Sequence, residues 1–353
     1  MKDGMVALIP AYEPDGGLVG YVDRLAQQGF DRIVVVDDGS GEGSRAVFDA
    51  LEAKPFCHVL HRWPNRGKGI SLKAGFAFIQ ERWPDAAGIV TADADGQHAP
   101  EDCRRLAESL AADPAALHLG CRRFSLAAVP FRSWIGNRWS SAVFGLMHGL
   151  WLSDTQTGLR AFSVGRIPFL LGVKGERFEY EMGVLAAAAR AGMTVASVPI
   201  RTIYEAGNAS THFRPLRDAL RINLLLFGDF LRFAGVSLAS FALDQGLAWG
   251  FAATLEMAGV TRAGVIWASG FAARFLSAIF NFSLNRTFVF QSGCGIGASA
   301  WKYALLCIAV IVLSNAGVTA LAFAGVPRGL AKLACDILLY VVGYRVQSKF
   351  IFR

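Results

Sequence analysis

Two carboxylates close an apolar run in Gly88-Ile89-Val90-Thr91-Ala92-Asp93-Ala94-Asp95-Gly96-Gln97-His98. Residues 89–92 read as a buried strand, and alternation predicts that Asp93 and Asp95 point the same way at its carboxyl end, where open α/β sheets bind ligands. That geometry suits a divalent cation held against a diphosphate. Two other stretches bear on the same chemistry. Asp37-Asp38-Gly39-Ser40 is a good turn and helix N-cap. Asn65-Arg66-Gly67-Lys68-Gly69 is a turn into a helix, one that offers backbone N–H groups and a lysine to an anion. Each has a plain structural reading by itself. Their order, with every piece at a strand end or a helix start, is what points to a nucleotide-type site.

The elements that must position these residues alternate along the first 228 positions. Short apolar runs at 6–10, 33–37, 57–60, 89–92 and 117–121 are separated by amphipathic segments at 17–28, 44–52, 69–82 and 101–112. Such βα alternation predicts a mostly parallel sheet with helices on its faces. Three of the strands end in polar, turn-forming residues, so their carboxyl ends should line one crevice.

The remainder has a different solvent. At 353 residues with 53% hydrophobic content, the chain is too apolar for one soluble domain. The apolar stretches gather at about 231–255, 264–283, 301–324 and 330–350, each near the ~20 residues a helix needs to cross ~30 Å of hydrocarbon. Four in succession favour transmembrane helices over a buried bundle. No signal-peptide pattern precedes the strand at 5–9, so the first domain is expected in the cytosol, and an even number of spans returns the C-terminus there. Arg286, Lys302, Arg345, Lys349 and Arg353 then fall on cytosolic edges, while Arg262, Arg328 and Lys332 fall outside. The expected organisation is a domain over 1–213, an interface helix over 214–230 and a membrane domain over 231–353.

A net charge of +7 raises nucleic acid as a partner, but no basic run or aromatic-interleaved motif supports it. Instead Arg214, Arg217, Arg221 and Arg232 lie among Leu216, Leu220, Leu224, Leu225 and Phe227, the pattern of a helix on anionic lipid, with a solvated linker helix as the plain alternative. The six cysteines form no C-x-x-C pair and indicate neither zinc nor a disulfide framework. Asp244, Arg274 and Asp336 fall within expected spans, where ionisable groups mark either function or an interhelical ion pair. Trp249, Trp267 and Trp301 read as interface anchors or packing residues.

Taken in order, Ile9-Pro10-Ala11-Tyr12, Val34-Val35-Val36-Asp37-Asp38-Gly39-Ser40, Asn65-Arg66-Gly67-Lys68-Gly69, Asp93-Ala94-Asp95-Gly96-Gln97-His98-Ala99-Pro100-Glu101, Gly120-Cys121-Arg122 and Asp154-Thr155-Gln156-Thr157-Gly158-Leu159-Arg160-Ala161-Phe162 resemble a known family. They look like the family 2 glycosyltransferases of the polyprenyl-phosphate branch, similar to dolichyl-phosphate mannosyltransferase. The tail resembles the GtrA-like membrane domain through Asn281-Phe282-Ser283-Leu284-Asn285-Arg286-Thr287-Phe288-Val289-Phe290 and Gln347-Ser348-Lys349-Phe350-Ile351-Phe352. The resemblance implies an α/β GT-A domain, Rossmann-like and nucleotide-sugar-binding, followed by an all-α bundle of four transmembrane helices.

By that resemblance, Pro10, Ala11, Tyr12, Glu13, Asp38, Lys68, Ala94 and Arg122 would bind the nucleotide-sugar together with Asp93 and Asp95. Asp93, Asp95 and Gln97 would hold Mg²⁺ or Mn²⁺ against the diphosphate. The acceptor would be a polyprenyl phosphate such as undecaprenyl phosphate, with Arg132, Arg160, His212 and Arg214 on its phosphate. Asp95, Asp154 and Arg160 would be catalytic, Asp154 standing where many relatives place a base. The implied setting is a bacterial-type inner membrane, with membrane lipid as a further partner and homo-oligomers through the membrane domain as an open arrangement.

Departures from the family pattern are local. Pro10-Ala11-Tyr12-Glu13-Pro14 replaces the usual Pro-x-Tyr-Asn-Glu, Gly96 and Cys121 stand where Leu and Ser are common, and Glu205 lies where an arginine is expected after Val198-Pro199-Ile200. His212-Phe213-Arg214 would substitute for that arginine. Three rivals are weaker. A haloacid-dehalogenase-type phosphatase opens its domain with its Asp-x-Asp, whereas here the motif comes fourth. A processive synthase carries a Gln-x-x-Arg-Trp motif that is missing. A lipid carrier or flippase that merely binds nucleotide would not need both carboxylates.

Overall fold

A computed structural model describes residues 4–122, 131–201, 203 and 215–352, with side chains for all of these except 131–133 and 215–220. The chain divides into two compact units, Met1–Leu226 and Phe227–Arg353.

The first unit is built on one seven-stranded sheet. Its strands are β1 (Met5–Ala11), β2 (Arg32–Asp37), β3 (Cys57–His61), β4 (Gly88–Thr91), β5 (Leu117–Arg122), β6 (Arg160–Phe162) and β7 (Val195–Ile200), in spatial order β3-β2-β1-β4-β6-β5-β7. β1 lies centrally, with Leu8 opposite Val34 of β2 and Thr91 of β4, both parallel. The chain moves from β1 outward through β2 to β3, then returns on the other side as β4. This reversal makes the gap between the carboxyl ends of β1 and β4 a topological switch point, the place where such sheets bind ligands.

All five strands expected from the apolar runs are present. The sequence pattern missed β6, which runs antiparallel to both neighbours, and β7, which pairs parallel to β5. β6 is only three residues long and begins with an arginine, so it carries no periodic signal. It exists because β4 and β5 supply its ladder and because the Thr91 hydroxyl donates to the carbonyl of Gly158 at 2.8 Å.

Helices α1 (Gly17–Gln27), α2 (Arg45–Glu52), α3 (Lys68–Arg82) and α4 (Pro100–Ala112) match the expected amphipathic segments. α1 buries Leu18, Tyr21, Val22 and Leu25, the spacing of one helical face. They pack into the core with Phe30, Ile33 and Val35. Full burial of a side chain of this size contributes roughly 1.5–3 kcal/mol. α4 begins with Pro100 and carries Glu101 and Asp102 in its first turn, which complements the helix dipole. Asp102, wholly buried, accepts the N–H of Arg201 at 2.9 Å and so ties the end of β7 to α4. Helices α5 (Phe131–His148), α6 (Ile167–Gly172) and α7 (Glu179–Arg190) complete this unit before the long helix that follows.

One contact at the sheet edge has a pH signature. His61 at the end of β3 bonds Asp37 through Nδ1 at 2.9 Å and Glu52 through Nε2 at 3.1 Å. Asp37 first, with Glu52 assisting, raises its pKa against a smaller opposing effect of burial. A raised histidine stabilises the fold fully below its unfolded pKa of about 6.5 and loses that contribution as pH rises through the folded value. Thermal melts from about pH 6 to pH 8.5 should therefore show the wild-type advantage over His61→Gln shrinking as pH rises. An advantage that grows with pH would contradict the assignment.

The remaining helices are α8 (Pro215–Met257), α9 (Arg262–Leu284), α10 (Ile296–Phe323) and α11 (Arg328–Val346). Among the described residues, three stretches are long and apolar enough to cross a membrane by length and composition: Arg221–Met257, Arg262–Val289 and Ile296–Phe323. The fourth expected span, 330–350, falls on α11, which is not among them. Arg328, Lys332, Asp336 and Arg345 are distributed along its 19 residues, and such groups are costly in hydrocarbon. The expected interface stretch and first span are one uninterrupted helix from Pro215 to Met257.

Polar groups inside these helices pair with one another. Asp244 on α8 meets Arg274 on α9 at 3.4 Å and accepts from the Ser277 hydroxyl at 3.0 Å. Asp336 pairs with Lys332 one turn away at 2.8 Å. The motifs Asn285-Arg286-Thr287-Phe288-Val289-Phe290 and Gln347-Ser348-Lys349-Phe350-Ile351-Phe352 both adopt π-helical turns, over Asn285–Val289 and Gln347–Ile351. They meet through an Asn285–Gln347 side-chain hydrogen bond of 3.3 Å and stacked Phe290 and Phe352 rings. A cavity of about 560 Å³ between α10 and α11 is lined by Leu305, Leu306, Val310, Leu313, Leu339 and Val342, with Lys302 as its one charged group. Its lining carries no carboxylate that could hold a cation.

Candidate active site

β4 ends at Thr91, and Asp93 and Asp95 follow in a turn rather than on one strand face. The expected alternation therefore stops short of them, yet the turn keeps them close enough to interact. Asp93 receives the Lys68 ammonium on Oδ1 at 2.6 Å and His98 Nε2 on Oδ2 at 3.3 Å. Burial disfavours the ionised Asp93, but Lys68 and then His98 outweigh it and hold the carboxyl well below the usual range. Asp95 moves the other way. Burial, followed by the charge of Asp93, pushes its pKa up, only partly offset by the Gln97 N–H that it accepts at 3.0 Å. Two carboxylates in one partly dry site are short of positive charge.

The second partner of Lys68 was not expected from sequence. Glu181, at the start of α7, lies 2.9 Å from Nζ, and its side chain is 11% exposed. Burial lowers the Lys68 pKa, but Asp93 and Glu181 together reverse that effect and leave it raised. The three groups come from α3, the turn after β4 and α7, and only the folded sheet brings them together. His98, present in the motif but given no role there, is the other residue the fold adds; its Nδ1 is buried without a partner among the described residues.

A cation fits this cluster. Asp93 and Asp95 are hard oxygen donors, with the Gln97 side chain in the same turn, the set that Mg²⁺ or Mn²⁺ prefers. Gly158 packs directly on Asp93, where a Cβ would fall 2.4 Å from Oδ2, so the carboxylate's room depends on that glycine. Among the described residues, no group of three or more His, Cys, Asp or Glu side chains is placed to hold a metal ion alone. A cation here would complete its shell with water or with the oxygens of a diphosphate.

Several expected contacts are differently engaged. Asp38 is buried and accepts the N–H groups of Arg66 at 3.1 Å and Gly67 at 2.7 Å. The turn at 65–69 thus presents N–H groups to an anion as expected, but the anion is Asp38 itself. Gly39, at φ +78°, lets the two loops approach, since a Cβ there would lie 2.6 Å from the Asn65 nitrogen. Pro10 and Ala11 are buried within β1, and the Ala11 carbonyl accepts the Asp38 N–H at 2.8 Å. Glu13 accepts the Gly41 N–H at 2.8 Å and lies 3.3 Å from the Ser44 hydroxyl, joining the first two loops. Tyr12 is 38% exposed at the mouth of this crevice, and Ala94 packs against the core.

On the other side of the cluster, Asp154 is fully buried. It receives Arg122 in a fork, Nε at 2.7 Å and Nη2 at 3.2 Å, and also the Gln156 N–H at 3.1 Å. An enclosed carboxylate so engaged orients Arg122 and does not reach out to an acceptor. Arg160 is likewise 2% exposed, donating through Nε to the Thr157 carbonyl at 3.0 Å and through Nη1 to the Glu181 carbonyl at 2.6 Å. Burial lowers its pKa, with Glu181 and Asp154 opposing. It braces α7 against the sheet, and its Nη2 is buried without a hydrogen-bond partner among the described residues. The Arg132 side chain, His212 and Arg214 lie outside the described residues.

Residues 7–164 match the family profile described as Glycosyl transferase family 2. The chain is 31% identical over 205 residues to the undecaprenyl-phosphate mannosyltransferase of Micrococcus luteus, covering 56% of this chain and 82% of that protein. It is 30% identical over 226 residues to the polyprenol monophosphomannose synthase of Mycolicibacterium smegmatis, covering 61% and 83%. It is 29% identical over 222 residues to the UDP-N-acetylglucosamine--dolichyl-phosphate N-acetylglucosaminyltransferase of Methanococcus voltae, covering 58% and 88%. Among solved structures, glucosyl-3-phosphoglycerate synthase of Mycobacterium tuberculosis in complex with uridine diphosphate aligns with a TM-score of 0.49 and 18% identity, over 64% of this chain and 79% of that one.

Proposed function

We propose, because this chain belongs to glycosyl transferase family 2, that it transfers one sugar from a nucleotide-sugar, a UDP- or GDP-sugar, to a polyprenyl phosphate such as undecaprenyl phosphate. The observation that carries this reading is the paired Asp93 and Asp95 with Lys68 at the switch point of the sheet. The relatives named above act on polyprenyl or dolichyl phosphates, and three apolar helices suit a protein that meets its acceptor in a membrane.

The chemistry is a displacement at the anomeric carbon. A phosphate oxygen of the acceptor attacks, the bond to the nucleoside diphosphate breaks, and negative charge grows on the leaving oxygen. Lys68 and Arg122 supply positive charge near the strand ends, each held by a carboxylate. When bound at Asp93 and Asp95, Mg²⁺ or Mn²⁺ would neutralise the diphosphate as it departs. The acceptor phosphate is already anionic at neutral pH, so no general base is needed. The enclosure of Asp154 supports that economy of groups. A single displacement inverts the anomeric configuration. The first unit would work on the cytosolic face of a bacterial-type inner membrane, with 214–230 at the lipid surface, 231–353 as a GtrA-like anchor, and Arg132, His212 and Arg214 toward the lipid phosphate.

The test is direct. Purified full-length protein incubated with Mg²⁺ or Mn²⁺, a panel of nucleotide-sugars and polyprenyl phosphate should release nucleoside diphosphate and form a lipid-linked sugar with at least one donor. Lipid movement across vesicles without nucleotide release would instead favour a carrier, and repeated addition to a growing glycan would favour a processive synthase.

A further inference from the structure

We propose that Glu181 is a positioning residue that takes over the charge of Lys68 when a divalent cation occupies Asp93. Lys68 sits between two carboxylates, 2.6 Å from Asp93 Oδ1 and 2.9 Å from Glu181 Oε2, with only 15% of its side chain exposed. A metal ion on Asp93 must replace the ammonium there. An ammonium left in a dry site without a counter-charge is costly enough to block the exchange. Glu181 removes that obstacle because Lys68 can keep a full ion pair while giving up Asp93.

The surroundings confine the lysine to this pair of positions. Ile70 N–H, two residues along α3, donates to the Glu176 carbonyl at 2.9 Å. Gly69 lies so close to α7 that a Cβ would fall 2.6 Å from Cβ of Tyr180. The backbone of α7 is held in turn by Arg160, through the Glu181 carbonyl at 2.6 Å. The start of α3 is thus joined, directly after Lys68, to the first turn of α7 and to the segment that leads into it. With its root fixed, the ammonium moves by side-chain rotation alone, from a position shared between the carboxylates to one on Glu181 and the incoming diphosphate. Lys68 becomes available to the leaving group at the moment a cation arrives, and not before.

Glu181 has this task only if Asp93 holds a cation, as proposed above, so metal binding is read directly rather than through turnover. The full-length protein in detergent is titrated with Mn²⁺ in the absence of nucleotide, and free Mn²⁺ is followed by electron paramagnetic resonance. Glu181→Gln should weaken Mn²⁺ binding by at least about tenfold, because the lysine then has Asp93 as its sole counter-charge. The double variant Lys68→Met with Glu181→Gln removes the competing ammonium and its second counter-charge together, leaves the Asp93 carboxylate to the cation, and should bind Mn²⁺ at least as tightly as wild type. Unchanged affinity in Glu181→Gln, or a double variant as weak as the single one, would overturn the assignment. Failure of wild type to bind Mn²⁺ even with nucleoside diphosphate present would instead remove the cation-assisted reading on which it rests.

Discussion

Asp95→Ala should yield a folded protein, as stable as wild type or slightly more so, whose glycolipid formation falls by about 10²–10³-fold. The two halves of that expectation have one cause. Asp95 has its pKa pushed up by burial and by the neighbouring Asp93, and its one identified hydrogen bond comes from the Gln97 N–H within the same turn. Removing it relieves repulsion between two carboxylates and leaves no buried cation unpaired. Stability therefore gains or holds while the cation site loses half its charge, the pattern of a functional site built against local stability. Asp93→Ala should behave differently. It strips Lys68 and His98 of a shared partner, so activity and thermal stability should fall together. Parallel melting curves and single-donor transfer assays on the two variants check both statements. Undiminished product from Asp95→Ala would sink the metal-assisted mechanism.

Asp154→Ala should destabilise the fold by about 3–5 kcal/mol, the usual cost of breaking one side of a buried ion pair. Asp154 is wholly enclosed and holds the Arg122 guanidinium in a two-point fork. Without it, Arg122 keeps its charge in a largely closed site and loses its direction. Transfer should drop because Arg122 no longer supports the diphosphate, while the pH dependence of the remaining activity keeps its shape. A general base would give the opposite signature, intact stability with a lost limb in the pH–rate profile. Pairing Asp154→Ala with Arg122→Met should recover much of the lost stability, since the uncompensated charge disappears with the arginine. Strict additivity of the two losses would show that the fork contributes little.

Much of the architecture was legible because it is written in local patterns. The runs at 6–10, 33–37, 57–60, 89–92 and 117–121 are apolar enough to be strands in almost any context, and all five are in the sheet. Helix α1 announces its buried face through Leu18, Tyr21, Val22 and Leu25. β6 gave no such signal, because Arg160-Ala161-Phe162 becomes a strand only through ladders offered by β4 and β5. The fourth expected span is not confirmed in the same way as the first three. Residues 330–350 are apolar on average, yet Lys332, Asp336 and Arg345 interrupt the run.

The sequence by itself determined that a nucleotide-type sheet carries an Asp-x-Asp turn and precedes long apolar helices, because strand and helix periodicity, turn residues and motif order are properties of neighbours along the chain. Only the tertiary structure decided which charges answer one another. Lys68 lies between Asp93 and Glu181, Asp38 holds the backbone of the next loop, and Asp154 holds Arg122. Attraction between charges depends on their separation in space and on how much water lies between them. Both quantities are set when α3, α7 and the end of β4 converge, and neither is expressed in the spacing of residues along the chain.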